Sequence, residues 1–201
     1  MNESSEAARP PRRAAILATA VKVFFQFGYR KTSMDDVAAA AKVSRQTLYL
    51  QFLNKEQLFR AALENVTEQM LVSIRGLAAN PNGTVEQRLI GVFELLCGDS
   101  LALSSQINIV ELLAIARSQE ESIVSRFEAD VRSVIADTLT QAGTAARWER
   151  HGIGAQELAM HLLDTSAGIK SATGNLSEYK QRMALAIRII VKGANGRKTR
   201  R

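Results

Sequence analysis

The sequence predicts an all-α protein, and three observations carry the prediction. Apolar residues recur every three to four positions over nearly the whole chain, the period of a helix with one buried face. The three prolines stand at positions 10, 11 and 81, clear of the long periodic runs. No alternation of apolar and polar residues lasts long enough to argue a strand. The expected architecture is an N-terminal three-helix head followed by a larger helical domain, about nine helices in total.

The first helix follows Pro10-Pro11, aligns Leu17, Ala20, Val21, Phe24 and Phe27 on one stripe, and stops at Gly28, which suits a left-handed C-terminal cap. Ser33, with Asp36 three residues on, caps a short second helix in which Met34, Val37, Ala38 and Ala41 follow the i, i+3, i+4, i+7 pattern. Ser44 opens a third short helix almost at once, with Leu48 and Phe52 facing inward. Asn54 and Gln57 start a long fourth helix through Leu58, Phe59, Ala62, Leu63, Val66, Met70, Ile74 and Leu77, ended by Asn80-Pro81-Asn82-Gly83. Thr84 with Gln87 caps a fifth that runs to Cys97, where Gly98-Asp99-Ser100 is expected to break it. A sixth covers about Ser105 to Ala116 and a seventh about Gln119 to Ala142. The segment from Gly143 to Gly154 holds three glycines, Arg147, Trp148, Arg150 and His151, and reads as an irregular connection. Two helices complete the chain, from about Ala155 to Ala172 and from near Ser177 to Gly193.

A chain of 201 residues can bury a core without metal or disulfide staples. The single cysteine, Cys97, offers neither an internal disulfide nor zinc-ligand spacing, so a reducing cytoplasm is expected, and no cofactor. No signal-like start and no run of about 18 apolar residues is present, so no membrane partner is expected. Charge is unevenly spread. Residues 1–60 hold ten Lys/Arg against five Asp/Glu, residues 192–201 hold five basic groups and no acidic one, and residues 61–191 have eleven basic against fifteen acidic. Basic ends around an acidic middle put polyanion binding at an end of the chain.

The two short helices at Ser33 and Ser44 form a helix-turn-helix unit, which lays its second helix in the DNA major groove with first-turn side chains on base edges. Those side chains are Arg45, Gln46 and Thr47. Arginine forks onto guanine O6 and N7, glutamine onto adenine N6 and N7, and threonine offers a hydroxyl or a methyl. Tyr49 and Lys55 are placed for phosphate, and Ser33 and Ser44 turn capped helix N-termini toward it.

The string Gly28-Tyr29, Thr32-Ser33-Met34-Asp35-Asp36-Val37-Ala38, Ala41-Lys42-Val43-Ser44 and Thr47-Leu48-Tyr49-Leu50-Gln51-Phe52-Leu53-Asn54-Lys55-Glu56-Gln57-Leu58-Phe59 closely resembles the N-terminal domain of the TetR family of bacterial regulators. The resemblance covers about the first 60 residues and adds Thr32 and Gln51 to the expected DNA-facing set. Two positions depart from the family pattern: Leu50 stands where a second aromatic is common, and Gln51 where a histidine is. Leu50 either touches a thymine methyl or packs.

The resemblance implies a division into a flexible basic tail (1–11), a DNA-binding domain (12–60), a ligand-binding and dimerisation domain (61–193) and a second basic tail (194–201). It implies a homodimer paired through the last two helices, for which Ala159, Leu163, Ser166, Ala167, Ile187 and Ile190 are candidates unless they complete the protomer's own core. It also implies a small-molecule effector, partly apolar. Polar candidates for its site are Asn108, Glu111, Trp148, His161 and Asp164, with Phe93, Leu96, Leu112 and Phe127 as apolar company. His161 alone on an apolar helix reads equally as a core or interface histidine, and Cys97 as a small buried hydrophobe or a redox-responsive thiol. Arg9, Arg12 and Arg13 either add phosphate or minor-groove contacts or are solvated.

The function expected is a ligand-responsive, sequence-specific repressor that binds a palindromic operator as a dimer and is released by its effector. A DNA-binding activator and a ligand-independent architectural protein are the alternatives. Nothing points to an enzyme: His151 and His161 lack partners, and no paired carboxylates, nucleophile-base pair or phosphate loop is present in the sequence.

Overall fold

The computed structural model describes residues 12–104, 109–117, 122–173 and 175–193. Among these residues there are ten helices and no strand. They are α1 (Arg12–Phe27), α2 (Met34–Ala40), α3 (Arg45–Tyr49), α4 (Lys55–Ala78), α5 (Val85–Ser104), α6 (Ile109–Arg117), α7 (Ile123–Gln141), α8 (Ala145–Glu149), α9 (Ala155–Ala172) and α10 (Leu176–Gly193). The described residues pack as two compact units, 12–70 with 109–117 and 122–125, and 71–104 with 126–173 and 175–193.

The start signals of the sequence act as read. The Asp36 and Gln57 amides donate to Ser33 Oγ (3.1 Å) and Asn54 Oδ1 (2.8 Å), while the Leu53 amide donates back to Gln57 Oε1 (2.6 Å). Thr84 and Gln87 exchange the same reciprocal pair. Gly28, at φ 83°, takes the left-handed conformation that ends α1, and its amide donates to Phe24 O at 2.8 Å.

In the first unit α1, α2, α3 and α4 close around Ile16, Leu17, Ala20, Val23, Phe24, Val37, Leu48, Phe52, Leu58 and Phe59, all buried. Phe24, Tyr29 and Phe59 form an aromatic triangle with centroids 4.9 to 5.8 Å apart. Leu48 and Phe52 are wholly inaccessible, so the third helix hangs on the core by two side chains, each stabilising by roughly 1.5–3 kcal/mol. Phe27, expected on the buried stripe of α1, is exposed at its end.

In the second unit α10 lies on α5 and α9. Tyr179, Met183, Ile187 and Ile190 are its buried stripe, and the Tyr179 hydroxyl donates to Phe93 O at 3.3 Å. Two expectations fail here. The segment 98–100 does not end α5, which continues to Ser104. A mid-helix glycine costs only about 1 kcal/mol, too little to break a helix held by packing. The stretch 143–154 is not irregular throughout but contains α8. That short helix is held because Trp148 Nε1 donates to Ile190 O and Arg147 Nη2 to Val191 O, both at 2.8 Å, satisfying carbonyls in the last turn of α10.

Candidate nucleic-acid interface

The third helix is five residues long, too short to be stable by itself, and three features define its direction. Ser44 caps it, accepting the Thr47 amide at 3.0 Å with the two hydroxyls 2.8 Å apart. The turn before it closes through Val43 N–H to Ala38 O at 3.0 Å, with Lys42 left-handed at φ 55°. Leu48 and Phe52 anchor its inner face. The opposite face is then fixed: Arg45 and Gln46 are exposed, Thr47 is half-buried, and Tyr49 is exposed beside Leu50, which is 81% accessible.

Arg45 is already engaged. Its Nη1 donates to Asp35 Oδ2 at 2.9 Å, and its guanidinium carbon lies 5.4 Å from the centre of the Tyr49 ring. Asp35 is not legible as a partner in the sequence, because it sits ten residues upstream on α2 and no local periodicity links the two positions. Its neighbour Asp36 serves the cap instead, and the Ser33 hydroxyl and amide together hold the Asp36 carboxyl below its ordinary range. Arg13 is also near: its guanidinium stacks 4.6 Å over the Phe52 ring. Arg9 lies outside the described residues, as does the Arg12 side chain.

Three expected DNA contacts are placed differently. Thr32 is 2% accessible, and its hydroxyl donates to Gly28 O at 2.7 Å, so its side chain belongs to the α1–α2 loop. Lys55 turns inward. Its Nζ donates to Tyr29 O and Thr32 O, each at 3.0 Å, and sits 4.6 Å from the Tyr29 ring centre. Gln51 has Oε1 buried without a hydrogen-bond partner, so its carbonyl end faces the protein rather than the outer surface. Burial, reinforced by the nearby Glu56 carboxylate, raises the Tyr29 phenol above its ordinary value.

The expected effector residues do not form one group. Leu112 is buried in the core cluster of the first unit. Trp148 has given its N–H to α10. His161 and Asp164 are exposed on α9, on the same outer side as Met160 and Ala167. Phe93 is buried against α10, Leu96 uses its carbonyl to accept Lys170 Nζ at 3.1 Å, and Phe127 is half-buried. Asn108 and the Glu111 side chain lie outside the described residues. The surface between Ile90, Phe93, Glu94, Tyr179, Lys180 and Met183 is a shallow cleft with no interior room for a water molecule. Cys97 is buried, and burial pushes its thiol up, the setting of a structural rather than a reactive cysteine.

Four of the six expected dimer residues, Ala159, Ser166, Ile187 and Ile190, are interior to the protomer. Ser166 Oγ lies 2.8 Å from Tyr179 Oη, a buried hydrogen bond that joins α9 to α10 within one chain. Leu163 is half-buried and Ala167 exposed. The exposed apolar side chains of these helices are instead Met160, Leu176, Leu185 and Ile189.

A capped, core-anchored short helix with Arg45 and Gln46 exposed has the geometry of a helix-turn-helix reading head. The family described as bacterial regulatory proteins, tetR family, matches residues 16–62. A helix-turn-helix-type transcriptional regulator of Bacillus subtilis, YhgD, is 44% identical over 59 residues, 29% of this chain and 31% of that protein. The DNA-binding transcriptional repressor TetR of Mycobacteroides abscessus is 47% identical over 53 residues, 26% of this chain and 28% of that one. The chain thus spans less than a third of the length of either relative. A crystal structure of a transcriptional regulator from Pseudomonas aeruginosa PAO1 matches with TM-score 0.70 at 18% identity, covering 91% of both chains. Residues 16–62 therefore form a DNA-binding domain of the tetR family of bacterial regulatory proteins. Among the described residues no helix is long and apolar enough to cross a membrane.

Proposed function

We propose that the chain is a sequence-specific repressor that reads a palindromic operator as a homodimer through Arg45, Gln46, Thr47 and Tyr49, and that a small-molecule effector releases it. The observation that carries this reading is the outer face of α3: side chains that can fork onto bases project from a helix whose cap and inner face are both locked. Ser33 and Ser44 position the unit, and Arg13 contributes positive charge at its edge. Thr32 and Lys55 act through the loop they hold.

Dimerisation is assigned to the outer faces of α9 and α10. Met160, Leu163 and Ala167 fall three to four residues apart on one helix, as Leu185 and Ile189 do on the other, so each outer face carries an apolar stripe. His161 and Asp164 are exposed beside that stripe on α9 and belong to this surface rather than to an effector site. A two-fold pair of reading heads recognises inverted half-sites. The effector is assigned to the second unit, where it weakens DNA binding by the coupling that DNA imposes on it, typically about 1–3 kcal/mol.

Selection of bound duplexes from a random DNA pool tests the reading. The full chain is expected to enrich an inverted repeat, and Arg45→Ala to reduce discrimination at particular bases by about 1–3 kcal/mol. Binding that is indifferent to sequence, or unchanged in Arg45→Ala, removes the reading-head assignment.

A further inference from the structure

We infer that Asp35 is a positioning residue of the DNA interface: by holding one side of the Arg45 guanidinium it makes the choice of guanine at one operator position depend on both residues. The inference rests on the reading-head function proposed above and names a residue outside the recognition helix that sets its specificity.

The Asp35–Arg45 pair is poorly explained as a stabilising contact. Both side chains are largely exposed, 57% and 67%, and an exposed ion pair adds little to stability. Nor is Asp35 needed to start α2, since Asp36 completes the capping box with Ser33. A carboxylate on this surface also opposes the approach of phosphates, which weakens binding to every sequence alike. Its use must be found in what it does to Arg45.

Arginine loses considerable rotamer freedom on binding, and a free one spends part of its contact energy on being ordered. Here the guanidinium is held before DNA arrives, by Asp35 on Nη1 and by the Tyr49 ring near its face. Holding Nη1 leaves the Nε–Nη2 edge, two parallel N–H donors, and that fork matches the two acceptors of guanine, O6 and N7. Adenine and thymine each offer one acceptor in the major groove and cytosine none, so a guanidinium limited to one edge and one direction gains less from them. Released from Asp35, Arg45 could swing to phosphates or to neighbouring bases. It would bind more sequences and choose less well among them.

The test uses the full chain as wild type, Asp35→Asn, Arg45→Ala and the double variant, each mixed with a pool of random 30-base-pair duplexes, the bound fraction being sequenced. The position whose guanine preference disappears in Arg45→Ala identifies where Arg45 reads. At that position Asp35→Asn is expected to lower the guanine preference about two- to fivefold, to leave the other positions as they were, and to tighten binding to the unselected pool. In the Arg45→Ala background it should change no base preference further. Both side chains are exposed, so melting temperatures within a few degrees of wild type verify that the variants fold. Guanine preference retained in Asp35→Asn overturns the inference. So does a preference that disappears at a different base pair, which would mean that Asp35 reads cytosine N4 directly. Equal weakening at all sequences would reduce Asp35 to a structural acid and also overturn it. A wild-type chain that enriches nothing removes the reading head and this inference together, whereas the preceding outcomes remove this inference alone.

Discussion

Replacing Lys55 by methionine separates two jobs that a lysine beside a recognition helix can do. If its ammonium met a phosphate, the substitution would weaken DNA binding and release fewer counterions on binding, lowering the slope of log K against log salt by about 0.9 for each phosphate no longer neutralised. In the structure the ammonium closes the α1–α2 loop, with two carbonyls at 3.0 Å and the Tyr29 ring at 4.6 Å. Hydrogen bonds to a charged group contribute roughly 1.5–3 kcal/mol, and a partly exposed cation–π interaction about 0.5–1 kcal/mol. Methionine keeps the apolar stem and removes all of these, and because the ammonium is only part-buried water offsets much of the loss, so a destabilisation of about 2–3 kcal/mol is expected. For a chain of this length that lowers the melting temperature by roughly 4–12 °C. Thermal unfolding by circular dichroism and a salt titration of operator affinity measure the two quantities on one sample. A depressed melting temperature with an unchanged salt slope is the expected result. An unchanged melting temperature with a slope reduced by about 0.9 per subunit would refute the loop-closing role.

Three further variants probe other parts of the chain. Lys42→Gly relieves a left-handed residue, φ 55°, of a strain of roughly 1–2 kcal/mol, against about 0.5–1 kcal/mol of added chain entropy, so urea unfolding should show a small gain in stability. Leu185→Glu with Ile189→Glu places charge on the exposed stripe of α10 and is expected to give monomers by sedimentation with a helical circular dichroism spectrum, since neither side chain is in the core. Tyr179→Phe probes alkaline stability. Burial pushes the Tyr179 phenol up to about 12 from its ordinary 10, so the folded state holds that proton more tightly than the unfolded one. Its stabilising contribution is therefore complete below pH 10 and is lost as pH rises from 10 through 12. The variant should lack that part of the alkaline decline, while losing the hydrogen bond to Ser166 at all pH values.

Where the sequence is legible, the physics is local. The caps at Ser33, Asn54 and Thr84 each need partners three residues away, and Leu48 and Phe52 mark the inner face of α3 by a spacing of four. What cannot be read depends on groups far apart in the chain. Lys55 is bound by carbonyls 23 and 26 residues upstream, and Arg45 by a carboxylate ten residues before it. The α8 helix forms on acceptors more than 40 residues later, so its composition alone suggests a loop. The faces of α9 and α10 mislead for a related reason. Both faces carry apolar residues, and periodicity identifies a buried stripe without saying whether the protomer or a partner buries it. Ile187 and Ile190 pack inside the protomer, while Leu185 and Ile189, equally apolar, are exposed.

Leu50 shows how exposure decides between readings that spacing leaves equal. At 81% accessibility it does not pack in the protomer, which leaves the thymine-methyl contact as the reading to test. The methyl contact can be isolated, because deoxyuridine keeps every hydrogen-bonding group of thymidine and lacks only the C5 methyl. Burying one such group between apolar surfaces is worth about 0.8 kcal/mol, close to a fourfold change in affinity. Wild type should lose that factor when the contacted thymine is replaced, and Leu50→Ala should bind the thymine and uracil operators nearly alike. Its melting temperature should stay near that of wild type, as an exposed substitution moves stability by only about 0.5 kcal/mol. If Leu50→Ala discriminated the two operators as wild type does, the methyl would be read by another group. The half-buried Thr47, whose own methyl lies on the same helix, would then be the residue to test.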